Sequence, residues 1–394
     1  MSLHKQQLII KGPAQIQSTQ VNIAGSKNAA LPIIAASVLA KSPVILKRIP
    51  HLADTQAMLE TLSYLGGKIR LDEDMKVHID PRYCKKNSIP SYLAKKMRTS
   101  FLFLGPILAT CKQATIPLPG GCNIGARPVD IHIAGLKQMG AEIELRNNTV
   151  YAKTTHGLHA TNYTLPFPSV TGTENLLMAA CLAKGTTILK NTAQDPEVGN
   201  LIDFLNIMGA EIHGKDTSTL TIVGKKELSG GEHSIIGDRI EAGTYLIAAT
   251  LCQGSIELCD INPDHLRSVI SKLRAAGADI QTSKDSIKLV MNTTPKAVDI
   301  TTQPYPGFPT DLQAQWLTLN TVATGNATIT EEIYENRMAH AQQLRILGAD
   351  INIENNKART QGNARLTASH IHATDLRASA GLVLAALVAN GETV

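Results

Sequence analysis

The sequence predicts an α/β protein of two similar domains, each made of three β/α units, with the sixth unit incomplete. Three observations lead there. A short pattern, an apolar helix end followed by Gly-Ala or Gly-Gly, a charged residue and Ile, recurs at Gly66-Gly67-Lys68-Ile69, Gly140-Ala141-Glu142-Ile143, Gly209-Ala210-Glu211-Ile212, Gly277-Ala278-Asp279-Ile280 and Gly348-Ala349-Asp350-Ile351. The glycines stand 74, 69, 68 and 71 residues apart, and so regular a period marks one supersecondary unit copied several times. Six further segments, 29–40, 100–109, 175–183, 244–251, 315–323 and 379–389, are apolar nearly all round, as buried helices are. Six buried helices cannot share one compact core, whereas two groups of three can each sit inside a shell of sheets and outer helices.

Within a unit the elements follow from local chemistry. Each repeat glycine suits the residue that ends a helix, where a left-handed backbone is needed. The residues after it alternate as a strand does, for example Ile143-Glu144-Leu145 and Ile351-Asn352-Ile353. The helices ending at these glycines are amphipathic, and they open at Asp54, Pro128-Val129-Asp130, Asp195-Pro196-Glu197, Pro263-Asp264 and Asn336. After four buried helices come the similar turns Lys184-Gly185-Thr186, Gln253-Gly254-Ser255, Thr324-Gly325-Asn326 and Asn390-Gly391-Glu392, each leading into β-rich sequence. The interval from turn to repeat glycine (185 to 209, 254 to 277, 325 to 348) places a sixth ending about twenty residues past Val394. The chain is therefore expected to be truncated inside its sixth unit. The expected domains are 25–236, and 1–24 together with 237–394, with crossings at Gly25 and Ile236-Gly237 and no Pro- or Ser-rich linker between them.

Composition narrows the function. Among 394 residues, 43% are apolar and only 4% aromatic, so the cores are built of Ala, Leu, Ile and Val. A net charge of +5, spread without a basic run, fits a few cations around a small anion better than nucleic acid. Six cysteines without a C-x-x-C pair, an N-terminus without a signal sequence, and no apolar run long enough to span a bilayer point to a cytoplasmic protein with no membrane partner. No G-x-G-x-x-G follows a strand and no G-K-[ST] loop occurs, which removes the dinucleotide and Walker phosphate sites. His370 and His372 form an H-x-H read as a half-exposed strand face; with no partner ligand pair, no metal is expected.

The segment Pro119-Gly120-Gly121-Cys122-Asn123-Ile124-Gly125-Ala126-Arg127-Pro128 sets a cysteine among glycines with a cation five residues on. It reads either as a thiol acid or nucleophile beside an anion site, or as a glycine turn with an incidental cysteine. Polar residues precede the buried helices at equivalent places: Gly25-Ser26-Lys27-Asn28, Lys96-Met97-Arg98-Thr99-Ser100, Thr171-Gly172-Thr173-Glu174-Asn175, Asp238-Arg239, Thr310-Asp311 and Asp375-Leu376-Arg377. Most need be no more than caps. Lys27, Arg98 and Arg377 differ, because a cation at a helix N-terminus opposes the macrodipole unless an anion is held there.

These residues carry a resemblance. The chain resembles the UDP-N-acetylglucosamine enolpyruvyl transferases of the EPSP synthase family, from Leu8 to Val394. The most specific matches are Ala24-Gly25-Ser26-Lys27-Asn28-Ala29-Ala30-Leu31-Pro32, the cysteine segment through Asp130, Phe308-Pro309-Thr310-Asp311-Leu312-Gln313-Ala314-Gln315, Glu335-Asn336-Arg337, and Ala373-Thr374-Asp375-Leu376-Arg377-Ala378-Ser379. The resemblance implies a pair of inside-out α/β barrels closing on substrate across an interdomain cleft. It also implies transfer of enolpyruvate from phosphoenolpyruvate to the 3′-hydroxyl of UDP-N-acetylglucosamine, the first committed step of peptidoglycan synthesis, by a monomer without a cofactor.

By the same resemblance Cys122 is the acid, able to form a covalent adduct with phosphoenolpyruvate and to be modified by fosfomycin, and Asp311 is the base at the sugar hydroxyl. Lys27 and Arg127 match the cations on the phosphoenolpyruvate phosphate, Arg337 and Arg377 those on its carboxylate, and Asn28 and Asp375 position reacting groups. The nucleotide-sugar positions are Arg98, Arg127, Pro128, Val129, Asp130, Ile131, Ser169, Val170, Thr171, Asp311 and Ile333. The family carries a further cleft arginine in the closing part of its sixth unit, so a chain truncated at Val394 is expected to be poorly active. Two other readings compete: the sister enzyme acting on shikimate 3-phosphate, which lacks the cysteine segment and the Phe-Pro-Thr-Asp stretch, and a nonenzymatic nucleotide-sugar-binding protein, which would not turn over.

Overall fold

In the computed structural model, which describes residues 7–118, 129–373 and 375–394, the repeat glycines do what their spacing predicts. Gly66, Gly140, Gly209, Gly277 and Gly348 all have φ between 88° and 116°, a conformation that costs a residue with a Cβ and lets the chain leave the helix for the next strand. The amphipathic helices they close are Ala53–Leu65, Asp130–Gln138, Pro196–Ile207, Arg267–Ala275 and Ala341–Ile346. The fifth does not open at Asn336 as expected. Residues 336–340 form turns instead, and Arg337 points inward to Thr310 and Asp311.

The six apolar segments are helices Lys27–Ala36, Leu104–Cys111, Val170–Ala180, Arg239–Leu251, Gln313–Val322 and Leu376–Val388. Several begin before the apolar run does, because the start is set by a cap. Ser26 accepts from the Ala29 amide, Ser169 from Gly172, Asp238 from Ile240 and Glu241, and Asp375 from Arg377 and Ala378. The second is preceded by a 3-10 helix, Arg98–Phe103.

The sheets repeat one plan. In each of four four-stranded sheets an edge strand runs parallel to the strand that follows a buried helix, and a hairpin completes the other side. Glu232–Ser234, Val44–Lys47, Val77–Asp80 and Lys68–Leu71 form one such sheet, and Ile300–Thr301, Asn326–Thr330, Lys357–Gln361 and Asp350–Glu354 another. In the sixth unit Gly391–Thr393 pairs antiparallel with Ile10–Gly12, so a strand from the start of the chain takes the place a hairpin strand holds elsewhere. The H-x-H is not on a strand. Backbone bonds from the Ile371 amide to the Val394 carbonyl and from the Val394 amide to the Ser369 carbonyl flank it, but the His372 amide turns to Gln343 Oε1, which ends the pairing there.

Residues 24–118 with 129–237 form one compact unit, and residues 7–23 with 238–394 another. Each has its own core. The first packs around Lys27–Ala36, Leu104–Cys111 and Val170–Ala180, with Phe103 and Phe204 fully buried in it. The second packs around fully buried Trp316, whose indole N–H donates to the Val298 carbonyl at 3.0 Å.

Candidate active site

In the unit of residues 24–118 and 129–237, the start of helix Lys27–Ala36 is fixed by a close backbone approach. A Cβ on Gly25 would lie 1.7 Å from the carbonyl oxygen of Arg48, so no other residue fits without moving the backbone just after strand Val44–Lys47. This places Lys27 on the first helical residue. Its Nζ lies 3.0 Å from Asp54 Oδ2 at the start of helix Ala53–Leu65, so the cation is balanced by a carboxylate. Asn28 beside it is half-buried. Arg98 opens the 3-10 helix Arg98–Phe103, and its side chain is outside what the structure describes.

The positions of this unit expected to take the nucleotide sugar gather at two helix starts. Val129, Asp130 and Ile131 begin helix Asp130–Gln138, while Ser169, Val170 and Thr171 begin helix Val170–Ala180. A network that the sequence reading missed joins them. Asn175 Oδ1 accepts from the Gly105 amide at 2.6 Å, which leaves its Nδ2 to donate to the Phe101 carbonyl and to His132 Nδ1, each at 3.0 Å. The neutral His132 then carries its proton on Nε2, 3.4 Å from Thr171 Oγ1. Burial pushes the His132 pKa down to about 4, which keeps this tautomer at neutral pH. The His132-x-x and Asn175 spacing carries no sequence signal for the pairing. Cys122, Arg127 and Pro128 lie outside the described residues.

In the unit of residues 7–23 and 238–394, three predicted residues meet. Arg337 Nη2 donates to Asp311 Oδ1 and Arg377 Nη2 reaches Asp311 Oδ2, both at 2.7 Å, with side-chain exposures of 5%, 24% and 21% for Arg337, Asp311 and Arg377. Both carboxylate oxygens of the predicted base thus face the two guanidinium groups predicted to hold a substrate carboxylate. Asp375 is spent as a helix cap through Oδ1. Ile333 is half-buried, and its amide donates to Glu331 Oε1 at 2.8 Å. His340, also buried, has its pKa lowered to about 4 by burial. Among the described residues no group of His, Cys, Asp or Glu could hold a metal ion, and no helix is long and apolar enough to cross a membrane.

The described cysteines are free. Burial pushes Cys84 and Cys252 up to about 11 and Cys181 to about 12. Such thiols carry almost no thiolate at neutral pH.

Residues 10–394 match the sequence profile of the EPSP synthase (3-phosphoshikimate 1-carboxyvinyltransferase) family. The chain is 47% identical over 388 residues to the UDP-N-acetylglucosamine 1-carboxyvinyltransferase of Halorhodospira halophila, covering 98% of this chain and 92% of that one. The Coxiella burnetii protein of the same name is also 47% identical, with 89% of its length covered. Among solved structures, the enolpyruvyl transferase NikO from Streptomyces tendae superposes with a TM-score of 0.88 at 21% identity, covering 98% of this chain and 91% of that one. The EPSP synthase of Acinetobacter baumannii superposes at 0.73 and 17%, covering 98% and 92%. The expectation of a truncated and therefore poorly active chain is not borne out, since the match spans 92% of the Halorhodospira halophila relative's length. The chain belongs to the EPSP synthase family and, within it, groups with the UDP-N-acetylglucosamine 1-carboxyvinyltransferases.

Proposed function

We propose that the protein transfers the enolpyruvyl group of phosphoenolpyruvate to the 3′-hydroxyl of UDP-N-acetylglucosamine and releases phosphate. The observation that carries this is the near-full-length 47% identity to enzymes of that name. The chemistry needs a proton delivered to the enol methylene while the sugar hydroxyl loses one. The hydroxyl oxygen adds to the enol carbon, leaving a methyl group beside it, and that methyl then gives a proton back as phosphate leaves and the double bond re-forms.

Asp311 takes the hydroxyl proton and Cys122 delivers the other. Lys27 and Arg127 hold the phosphate and Arg337 and Arg377 the carboxylate, since guanidinium forks match both anions. Asn28 and Asp375 position the reacting groups, the latter through the helix start it caps. Arg98, Arg127 to Ile131, Ser169 to Thr171, Asp311 and Ile333 take the nucleotide sugar. The finer architecture is read as six units in two inside-out barrels with domains 25–236 and 1–24 plus 237–394. The strand plan common to four sheets supports the repeat. The protein is read as a cytoplasmic monomer acting at the first committed step of peptidoglycan synthesis.

Phosphate release tests this directly. It is expected with phosphoenolpyruvate and UDP-N-acetylglucosamine and not with shikimate 3-phosphate as acceptor. Turnover with shikimate 3-phosphate alone, or nucleotide-sugar binding without turnover, would replace the reading. Fosfomycin followed by peptide mapping is expected to label Cys122 ahead of Cys84, Cys181 and Cys252, whose thiolate fractions at pH 7 are on the order of one in ten thousand or less.

A further inference from the structure

We infer that Glu331 is a positioning residue for this reaction, a buried carboxylate that orients the Thr310 hydroxyl and through it seats Arg337 on Asp311. The inference rests on the roles of Arg337 and Asp311 given under the proposed function.

Glu331 follows strand Asn326–Thr330 and is 3% exposed. Its backbone is held on both sides by Asn356, whose carbonyl accepts from the Glu331 amide at 2.8 Å and whose Nδ2 donates to the Glu331 carbonyl at 3.1 Å. Its side chain collects four donors. Oε1 accepts from Thr302 Oγ1 at 2.8 Å and from the amides of Ile333 and Tyr334 at 2.8 and 3.1 Å. Oε2 accepts from Thr310 Oγ1 at 2.8 Å. Thr302 in turn accepts from the Glu332 amide at 3.0 Å.

The direction of the Thr310 hydroxyl follows from its two neighbours. An ionised carboxylate only accepts and a guanidinium only donates. The Thr310 proton must therefore lie toward Glu331, and its lone pairs face Arg337 Nη1, which donates to it at 2.7 Å. The other fork nitrogen of Arg337 meets Asp311, and the guanidinium lies 5.0 Å from the Tyr334 ring centroid. One carboxylate thus ties together the turn that carries Asp311, the turn that carries Ile333 and Tyr334, and the arginine between them. A cap or a plain structural carboxylate would not need the hydroxyl relay.

Glu331→Gln keeps the shape but cannot keep the pattern. With the amide oxygen toward the three Oε1 donors, its NH2 faces Thr310, so the hydroxyl receives two donors and loses its own acceptor. Thr310→Val removes the relay and leaves the bonds of Glu331 to the 333–334 amides in place. Each variant is expected to lower kcat by about ten- to a hundredfold, with UDP-N-acetylglucosamine affinity by calorimetry within about threefold for Thr310→Val. The double variant is expected to be no worse than the weaker single one, because both act through one path. Thr310→Ser, as the conservative rescue, is expected to recover turnover.

Additive losses in the double variant, or full turnover in Thr310→Val, would overturn the inference. A second readout does not depend on activity. In protein labelled with 15N-arginine, the Arg337 side-chain resonances, assigned from Arg337→Lys, should show slow guanidinium rotation in the wild type and fast rotation in Glu331→Gln and Thr310→Val. Unchanged rotation would overturn the inference. Should the wild-type chain release no phosphate, the functional reading falls and the rotation measurement alone decides the role of Glu331.

Discussion

Lys27 with Asp54 in one unit, and Arg337 and Arg377 with Asp311 in the other, solve one problem at different depths. On the proposed function both hold cations for an anionic substrate, and in both a carboxylate of the protein pairs with them. The Lys27 pair has 18% and 37% side-chain exposure, and Arg377 with Asp311 a similar 21% and 24%, while Arg337 is 5% exposed and tied further to Thr310. An exposed pair contributes only about 0–1 kcal/mol and is screened by salt. Removing one partner of a buried pair costs about 3–5 kcal/mol, because a charge is left stranded. On the proposed function the Lys27–Asp54 pair is the more readily exchanged for a substrate phosphate. The second is a fixed framework in which a substrate carboxylate would have to share the arginines with Asp311.

The largest effect that would sharpen this contrast is expected from Asp311→Ala. Turnover should fall by about 10²–10⁴, with nucleotide-sugar affinity within about tenfold, since a base acts on the transition state more than on ground-state binding. Equal losses in both would make Asp311 a binding residue. Next comes Arg337→Met, which leaves Asp311 paired with Arg377 but strips Thr310 of its donor, and is expected to cost about 1–3 kcal/mol in urea unfolding on top of lost turnover. A cost below about 1 kcal/mol would place this cluster in the same class as the Lys27 pair.

Acid should act on both units, because His132 in one and His340 in the other are buried with a pKa lowered to about 4, and burial also lowers the pKa of His233 in the first. The unfolded chain binds the His132 and His340 protons near pH 6.5 and the folded one only near 4, so stability falls as pH drops from 6.5 to 4 and levels below that. Each of these two contributes on the order of 3 kcal/mol to that slope. His132→Gln should flatten its share in unfolding curves taken across the window, and an unchanged slope would mean that His132 is not neutral in the fold. The smallest effect is expected from Asp54→Ala, at most about 1 kcal/mol of stability. A lower KM for phosphoenolpyruvate in that variant would show that Asp54 competes with the substrate for Lys27, and a raised KM would show that it positions it.

Much of the fold was legible because it is local. A glycine that must adopt positive φ, a serine or aspartate that caps amides two or three residues on, and a helix apolar on every face are properties of short windows, and Gly66 to Gly348, Ser26, Asp238 and the six buried helices all followed from them. Local rules also misplaced the helix expected at Asn336 and the strand expected at His370, where Arg337 is drawn inward to Asp311 and His372 is held by Gln343. The candidate site was legible as a set of residue types and not as a geometry.

What the sequence by itself determined is therefore the unit, its period and the identity of the cations and carboxylates. Only the tertiary structure decided which carboxylate meets which cation: Asp54 on Lys27, Asp311 between Arg337 and Arg377, and Glu331 behind Thr310. The physical reason is that backbone periodicity and capping act within one turn of chain, whereas an ion pair is set by where separate strands and helix starts come to rest. Nothing in the residues around Glu331 distinguishes a buried acceptor of four donors from an exposed acid at a strand end until the strands beside it are in place.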